Sequence, residues 1–158
     1  MKTPKPDIVF IAGANDAWLG PVEHLVDNRL EMMTLDPTQS IPQGLDVSSV
    51  QIMVASPKDA KAFAPLFPNL RWIQSTWAGI DALAQSIPVG VAVTPLKGVF
   101  GQAMSEFVLG WILSIERQIM QRAKAMTWDP RPETGVRGKV MGILGTGSIG
   151  SAIAEAAE

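Results

Sequence analysis

The first two thirds of the sequence predict an α/β chain built on a doubly wound parallel sheet. Three observations point there. Five short apolar runs recur along residues 7 to 96 with helix-like segments between them, the rhythm of βαβ units. The runs are apolar on nearly every residue instead of on alternate ones, as strands covered on both faces are. Between the third and fourth runs, helix-start residues stand in the right order.

The first run, "DIVFIAG" (7 to 13), is rich in Ile, Val and Phe and reads as a buried strand. Lys2, Lys5 and Ala12-Gly13-Ala14 superficially resemble a secretory leader, but Pro4, Pro6 and Asp7 argue against one. His24, the only histidine, lies in the polar helical segment "PVEHLVDNRL" and is expected at the surface. The further runs are "EMMTLD" (31 to 36), "VQIMVAS" (50 to 56), "LRWIQSTW" (70 to 77) and "VAVTPL" (91 to 96). In "SPKDAKAF", Ser56 is an N-cap, Pro57 takes the first helical position and Asp59 the first turn. Residues 1 to 97 are expected to form one domain, its sheet covered on both faces.

From 101 to 126, Met104, Phe107, Val108, Trp111, Ile112, Ile115, Ile119, Ala123 and Met126 recur at helical spacing. They predict one helix of about 39 Å. Leu109 and Leu113 add apolar character to its other side, so its first half is expected to be buried all round. A polar, proline-bearing stretch, "TWDPRPETGVRG", leads to "KVMGILG", read as a strand, and "SIGSAIAEAAE", read as a helix.

Of 158 residues, 47% are apolar and 18% charged, ample for one packed domain and thin for two. A net charge of −2 offers no basic field for nucleic acid. The absence of cysteine removes disulfides, thiolate nucleophiles and most structural zinc sites, and fits a reducing, cytoplasmic setting. No stretch approaches the about 20 apolar residues of a membrane span. Neither nucleic acid, a membrane nor a metal is expected as a partner.

Gly145, Gly147 and Gly150 form G-x-G-x-x-G between a predicted strand and a predicted helix, the context a dinucleotide-binding turn requires. The first glycine makes the tight turn, the second lets a pyrophosphate approach, and the third lets helix and strand pack closely. The plainer alternative is a glycine-rich turn that only packs. The acidic residue that would bind the adenosine ribose is expected about 20 residues further on, past residue 158. Residues 139 to 158 therefore read as the first piece of a larger nucleotide-binding domain, and the chain as truncated.

Three motifs in order, "LRWIQSTWAGID", "KGVFGQAMSEFVLGWIL" and "GKVMGILGTGSIG", resemble the D-isomer-specific 2-hydroxyacid dehydrogenases, particularly the glyoxylate and hydroxypyruvate reductase-like members. The resemblance spans essentially the whole chain. It implies a flavodoxin-like substrate domain (1 to 97), then a crossover helix at 101 to 126 that builds a homodimer and leads into the first βα unit of a Rossmann-type domain (98 to 158). It further implies hydride exchange between NAD or NADP and a small 2-oxo or 2-hydroxy acid. Trp77, Ala78, Gly79 and Ile80 match the loop whose backbone N–H groups hold the substrate carboxylate. Their place after a strand's C-terminal end supports that role independently, although an ordinary βα turn looks similar. Met104 matches a position near the nicotinamide, although a methionine at helical spacing also suits a core. Gly145, Thr146, Gly147, Ser148, Ile149 and Gly150 match the pyrophosphate turn.

The arginine, histidine and glutamate that carry the family's chemistry match nothing in this chain; Glu106 corresponds to a different glutamate, on the long helix. No catalytic residue is thus assigned, and the isolated chain is expected to be inactive. The rival expectation is a non-catalytic, dehydrogenase-derived binding or scaffold module. A phospho-receiver domain is discounted, because Ser56-Pro57 occupies the place of its acidic acceptor.

Overall fold

The computed structural model describes residues 4–25, 29–128, 130–132 and 134–158, and the chain divides between Leu96 and Lys97 into two units. In the first unit, β1 (Ile8–Ile11), β2 (Met32–Leu35), β3 (Ile52–Ala55), β4 (Trp72–Ser75) and β5 (Ala92–Thr94) form one parallel sheet in the order β2-β1-β3-β4-β5. All five predicted strands are present. Ile8 stands opposite Met32 on one side and Ile52 on the other, so the chain reverses its direction of travel across the sheet between β1 and β3. Ligands of such sheets gather at the carboxyl ends of the strands near that reversal.

Side chains alternate across the pleat, and the two faces differ. Val9, Ile11, Met53, Ala55 and Ile73 are fully buried on one face, where they pack with Ala60 of α2 (Pro57–Phe63) and Leu83 of α3 (Asp81–Ala84). Helix α2 starts as its sequence requires: Ser56 is extended at φ −64°, Pro57 follows, and the Asp59 N–H donates to Ser56 Oγ at 3.2 Å. On the opposite face, Phe10 is buried with the Trp18 ring 6.2 Å away, just before α1 (Leu19–Glu23). Further out, Met32, Trp72, Ala92 and Thr94 are exposed. The sheet is therefore covered throughout on one face only, which corrects the expectation of two. Polar side chains satisfy one another on the open part: Trp72 Nε1 donates to Thr94 Oγ1 at 2.8 Å, and Thr94 Oγ1 donates to Gln74 Oε1 at 2.6 Å.

The second unit, Lys97–Glu158, contains α4 (Gly101–Glu116), α5 (Ile119–Arg122) and α6 (Ser148–Ala157). The single helix expected over 101 to 126 is two helices, broken at Gln118, whose φ of 50° is left-handed. Residue types near the break give no warning of it. At the break, Thr134 Oγ1 donates to the Glu116 carbonyl at 2.8 Å and takes the acceptor that a continuing helix would offer to the N–H of Met120. Lys139 also pairs with the Glu116 carboxylate, holding that side chain's pKa below the ordinary glutamate range.

The first half of α4 is not buried all round. Ser105 is its one buried residue, while Phe107 and Trp111 are 60% and 52% exposed, their rings edge to face at 6.3 Å. Helix α6 packs along one side of α4 and the short α5 meets it as well, yet Phe107 and Trp111 stay exposed. Residues 139 to 145 make no strand. A strand needs a neighbour for its N–H and C=O groups, and the described elements of this unit are helices; Val140 and Leu144 are left exposed.

Candidate functional site

Two backbone turns hold the site residues expected from the sequence. The first follows β4, where Ser75 is buried and its hydroxyl clamps the chain: the Trp77 N–H donates to Ser75 Oγ at 3.0 Å, and Ser75 Oγ donates to the Trp77 carbonyl at 3.0 Å. The same carbonyl accepts from the Leu96 N–H at 3.1 Å. Of the four N–H groups from Trp77 to Ile80, the first is thus engaged. Those of Ala78, Gly79 and Ile80 donate to no acceptor among the described residues. The Trp77 ring is 64% exposed beside them. These are three donors at a strand's carboxyl end, a setting that favours a carboxylate. One local charge opposes it: a side chain begun at Gly79 would lie 3.9 Å from the Asp81 carboxylate.

The second turn is Gly145 to Gly150, and its three glycines are needed for three different reasons. Gly145 has φ +99°, which L side chains rarely adopt. A Cβ on Gly150 would stand 2.0 Å from the Gly145 carbonyl oxygen, so the turn closes back on itself through that missing atom. A Cβ on Gly147 would meet nothing within 4 Å. Gly147 is the N-cap of α6, extended at φ −74° and ψ −174°, and its carbonyl accepts the Ser151 N–H at 2.9 Å. The N–H groups of Ser148, Ile149 and Gly150 have no acceptor among the described residues, and Gly147 leaves the approach to them open. Thr146 contributes its carbonyl, which accepts from Ser151 Oγ at 3.3 Å. Free donors at the positive end of a helix, reached past a residue without a side chain, suit a pyrophosphate.

No family model matches the chain. Among curated proteins, the glyoxylate reductase of Thermofilum pendens is 33% identical over 99 residues, covering 56% of this chain and 29% of that protein. The hydroxyphenylpyruvate reductase of Plectranthus scutellarioides is 30% identical over 150 residues, 87% of this chain and 48% of that protein. A D-isomer-specific 2-hydroxyacid dehydrogenase family protein from Aeromonas salmonicida superposes with a TM-score of 0.80 at 28% identity, covering 98% of this chain and 50% of its own. The homologues and structural neighbours of this chain are D-isomer-specific 2-hydroxyacid dehydrogenases. The chain spans about half the length of these dehydrogenase structures and half or less of the curated relatives. Further solved dehydrogenases of this fold, at 24% identity and below, were crystallised with NADPH, NADP or NAD.

Met104, set against the nicotinamide by the dehydrogenase resemblance, lies in the second turn of α4 and is 37% exposed. His24 is exposed, at the C-terminal end of α1. Among the described residues no cluster of His, Asp and Glu could hold a metal, and no helix is long and apolar enough to cross a membrane. A groove of about 710 Å³ opens beside Lys5, Asp7, Gln51 and Arg71. It lies at the amino ends of the strands, the wrong end for a ligand of this sheet. Sequence reasoning missed Ser75; the signal was a hydroxyl residue ending a strand just before the loop at 77 to 80.

Proposed function

We infer that this chain supplies the substrate loop and the pyrophosphate turn of an NAD(P)-dependent D-2-hydroxyacid dehydrogenase that reduces small 2-oxo acids of the glyoxylate and hydroxypyruvate kind in the cytoplasm. The observation that carries this reading is the asymmetry of the glycine turn. Gly150 has no room for a side chain and closes the turn, whereas Gly147 leaves open the approach to three N–H groups at the start of α6. When bound, the nicotinamide cofactor supplies the hydride. The chain's own part is to bind: Ser148, Ile149 and Gly150 N–H groups hold phosphate oxygens, and Ala78, Gly79 and Ile80 N–H groups hold and orient the substrate carboxylate.

The exposed Phe107, Trp111 and Met120 on the 101 to 126 segment support a homodimer through that surface. The 158 residues alone do not turn over 2-oxo acids, because their one histidine, the exposed His24, matches no part of the dehydrogenases' catalytic machinery.

The test is titration of the chain with NADH and NADPH by calorimetry, beside Gly147→Ala. A methyl group in the phosphate approach removes charge-assisted hydrogen bonds and weakens binding about 10- to 100-fold, with the circular dichroism spectrum unchanged. Equal affinity of parent and Gly147→Ala for either nucleotide refutes the assignment of the turn, and no binding at all favours the non-catalytic module.

A further inference from the structure

The position of the glycine turn is set from outside it. Where α4 meets α6, a Cβ on Gly101 would lie 3.0 Å from Ala152 Cβ and 3.9 Å from the Ser148 carbonyl oxygen. Ser148 opens α6 and belongs to the turn; Ala152 lies one helical turn further on. Beneath this contact, the buried Ser105 Oγ donates to the Gly101 carbonyl at 2.8 Å, a bond within α4 itself that occupies the same face of the helix. Neither partner can relieve an added methyl by rotating. Alanine has no side-chain torsion that moves its Cβ, and the other neighbour is backbone. A Cβ at 101 therefore requires α4 and the start of α6 to move apart by a few tenths of an ångström.

We propose that Gly101 is a positioning residue for the pyrophosphate turn: its missing side chain is the seat that fixes where the N–H groups of Ser148, Ile149 and Gly150 point. Its bearing on nucleotide binding rests on the cofactor reading above. Gly110, in the same helix, provides an internal comparison, because a Cβ there meets nothing within 4 Å. The same Gly→Ala change thus raises helix propensity at both positions and disturbs α6 at only one.

Hydrogen exchange followed by NMR at Ser151, Ala152 and Ile153 tests this, in the parent chain, Gly101→Ala, Gly110→Ala, Ala152→Gly and the Gly101→Ala/Ala152→Gly double variant, together with NADH titration of each. Gly101→Ala is expected to speed exchange at these amides about tenfold or more, with β1, β3 and β4 unchanged. Gly110→Ala leaves them within about twofold, and the double variant returns to the level of Ala152→Gly alone, the non-additivity that marks a direct contact. NADH affinity falls and recovers in parallel. Exchange within twofold of the parent in Gly101→Ala, an equal effect of Gly110→Ala, or no rescue in the double variant overturns the seat. If the exchange pattern holds while the parent binds no NADH, the seat stands and the cofactor reading falls.

Discussion

Replacing Gly150 with alanine tests the geometry of the glycine turn most directly. The new Cβ would stand 2.0 Å from the Gly145 carbonyl oxygen, 3.1 Å from its carbon and 3.4 Å from Ile143 Cγ2. Such contacts do not occur below 3.0 Å, so helix and turn must separate by at least about 1 Å. The obstacle is backbone, not the far end of a flexible side chain. Overpacking of this kind costs about 2 to 3 kcal/mol, which multiplies the open population of the turn about 30- to 150-fold. Hydrogen exchange at Ser151, whose N–H bonds to the Gly147 carbonyl, reads that population. The comparison is Gly147→Ala, the same substitution three residues earlier, where a Cβ meets open space and exchange stays within about twofold. Gly150→Ala exchanging within twofold of the parent would refute the closed turn.

Two further outcomes follow from the hydrogen bonds. Ser75→Ala removes both contacts of the clamp on Trp77 and should lower unfolding stability in urea by about 1 to 2 kcal/mol. It should also quench-shift the Trp77 fluorescence; an unchanged denaturation midpoint counts against the clamp. Glu116 is held below the ordinary glutamate range chiefly by its bond to Lys139. A depressed carboxylate contributes stability above its unfolded value and loses it as the pH falls through the folded one, so the 134 to 139 segment should come away from the end of α4 only below the usual glutamate range. NMR shifts of Thr134 that move instead between pH 6 and 8 would contradict this.

Much of the fold and of the candidate site is legible in the chain because it depends on neighbours in sequence. Apolar runs identify β1 to β5, since period and composition act over a few residues. Ser56-Pro57 starts α2 through a hydrogen bond three residues long. Gly145 and Gly150 mark the turn because each meets a stereochemical demand, one of its own backbone and the other of a residue five positions away.

What only the tertiary structure decided involves partners the chain brings together from further off. The Glu116 carbonyl at the break is capped by Thr134, 18 residues later, and no helical periodicity carries that information. Residues 139 to 145 have strand composition but no neighbour to complete a ladder, and pairing is a property of two segments. Gly101 looks like one more small residue at a helix start until Ala152, 51 positions on, arrives 3.0 Å from its absent side chain. Local stereochemistry is written residue by residue, whereas the seat of a helix and the end of its hydrogen-bond ladder are set by whichever distant atom reaches them first.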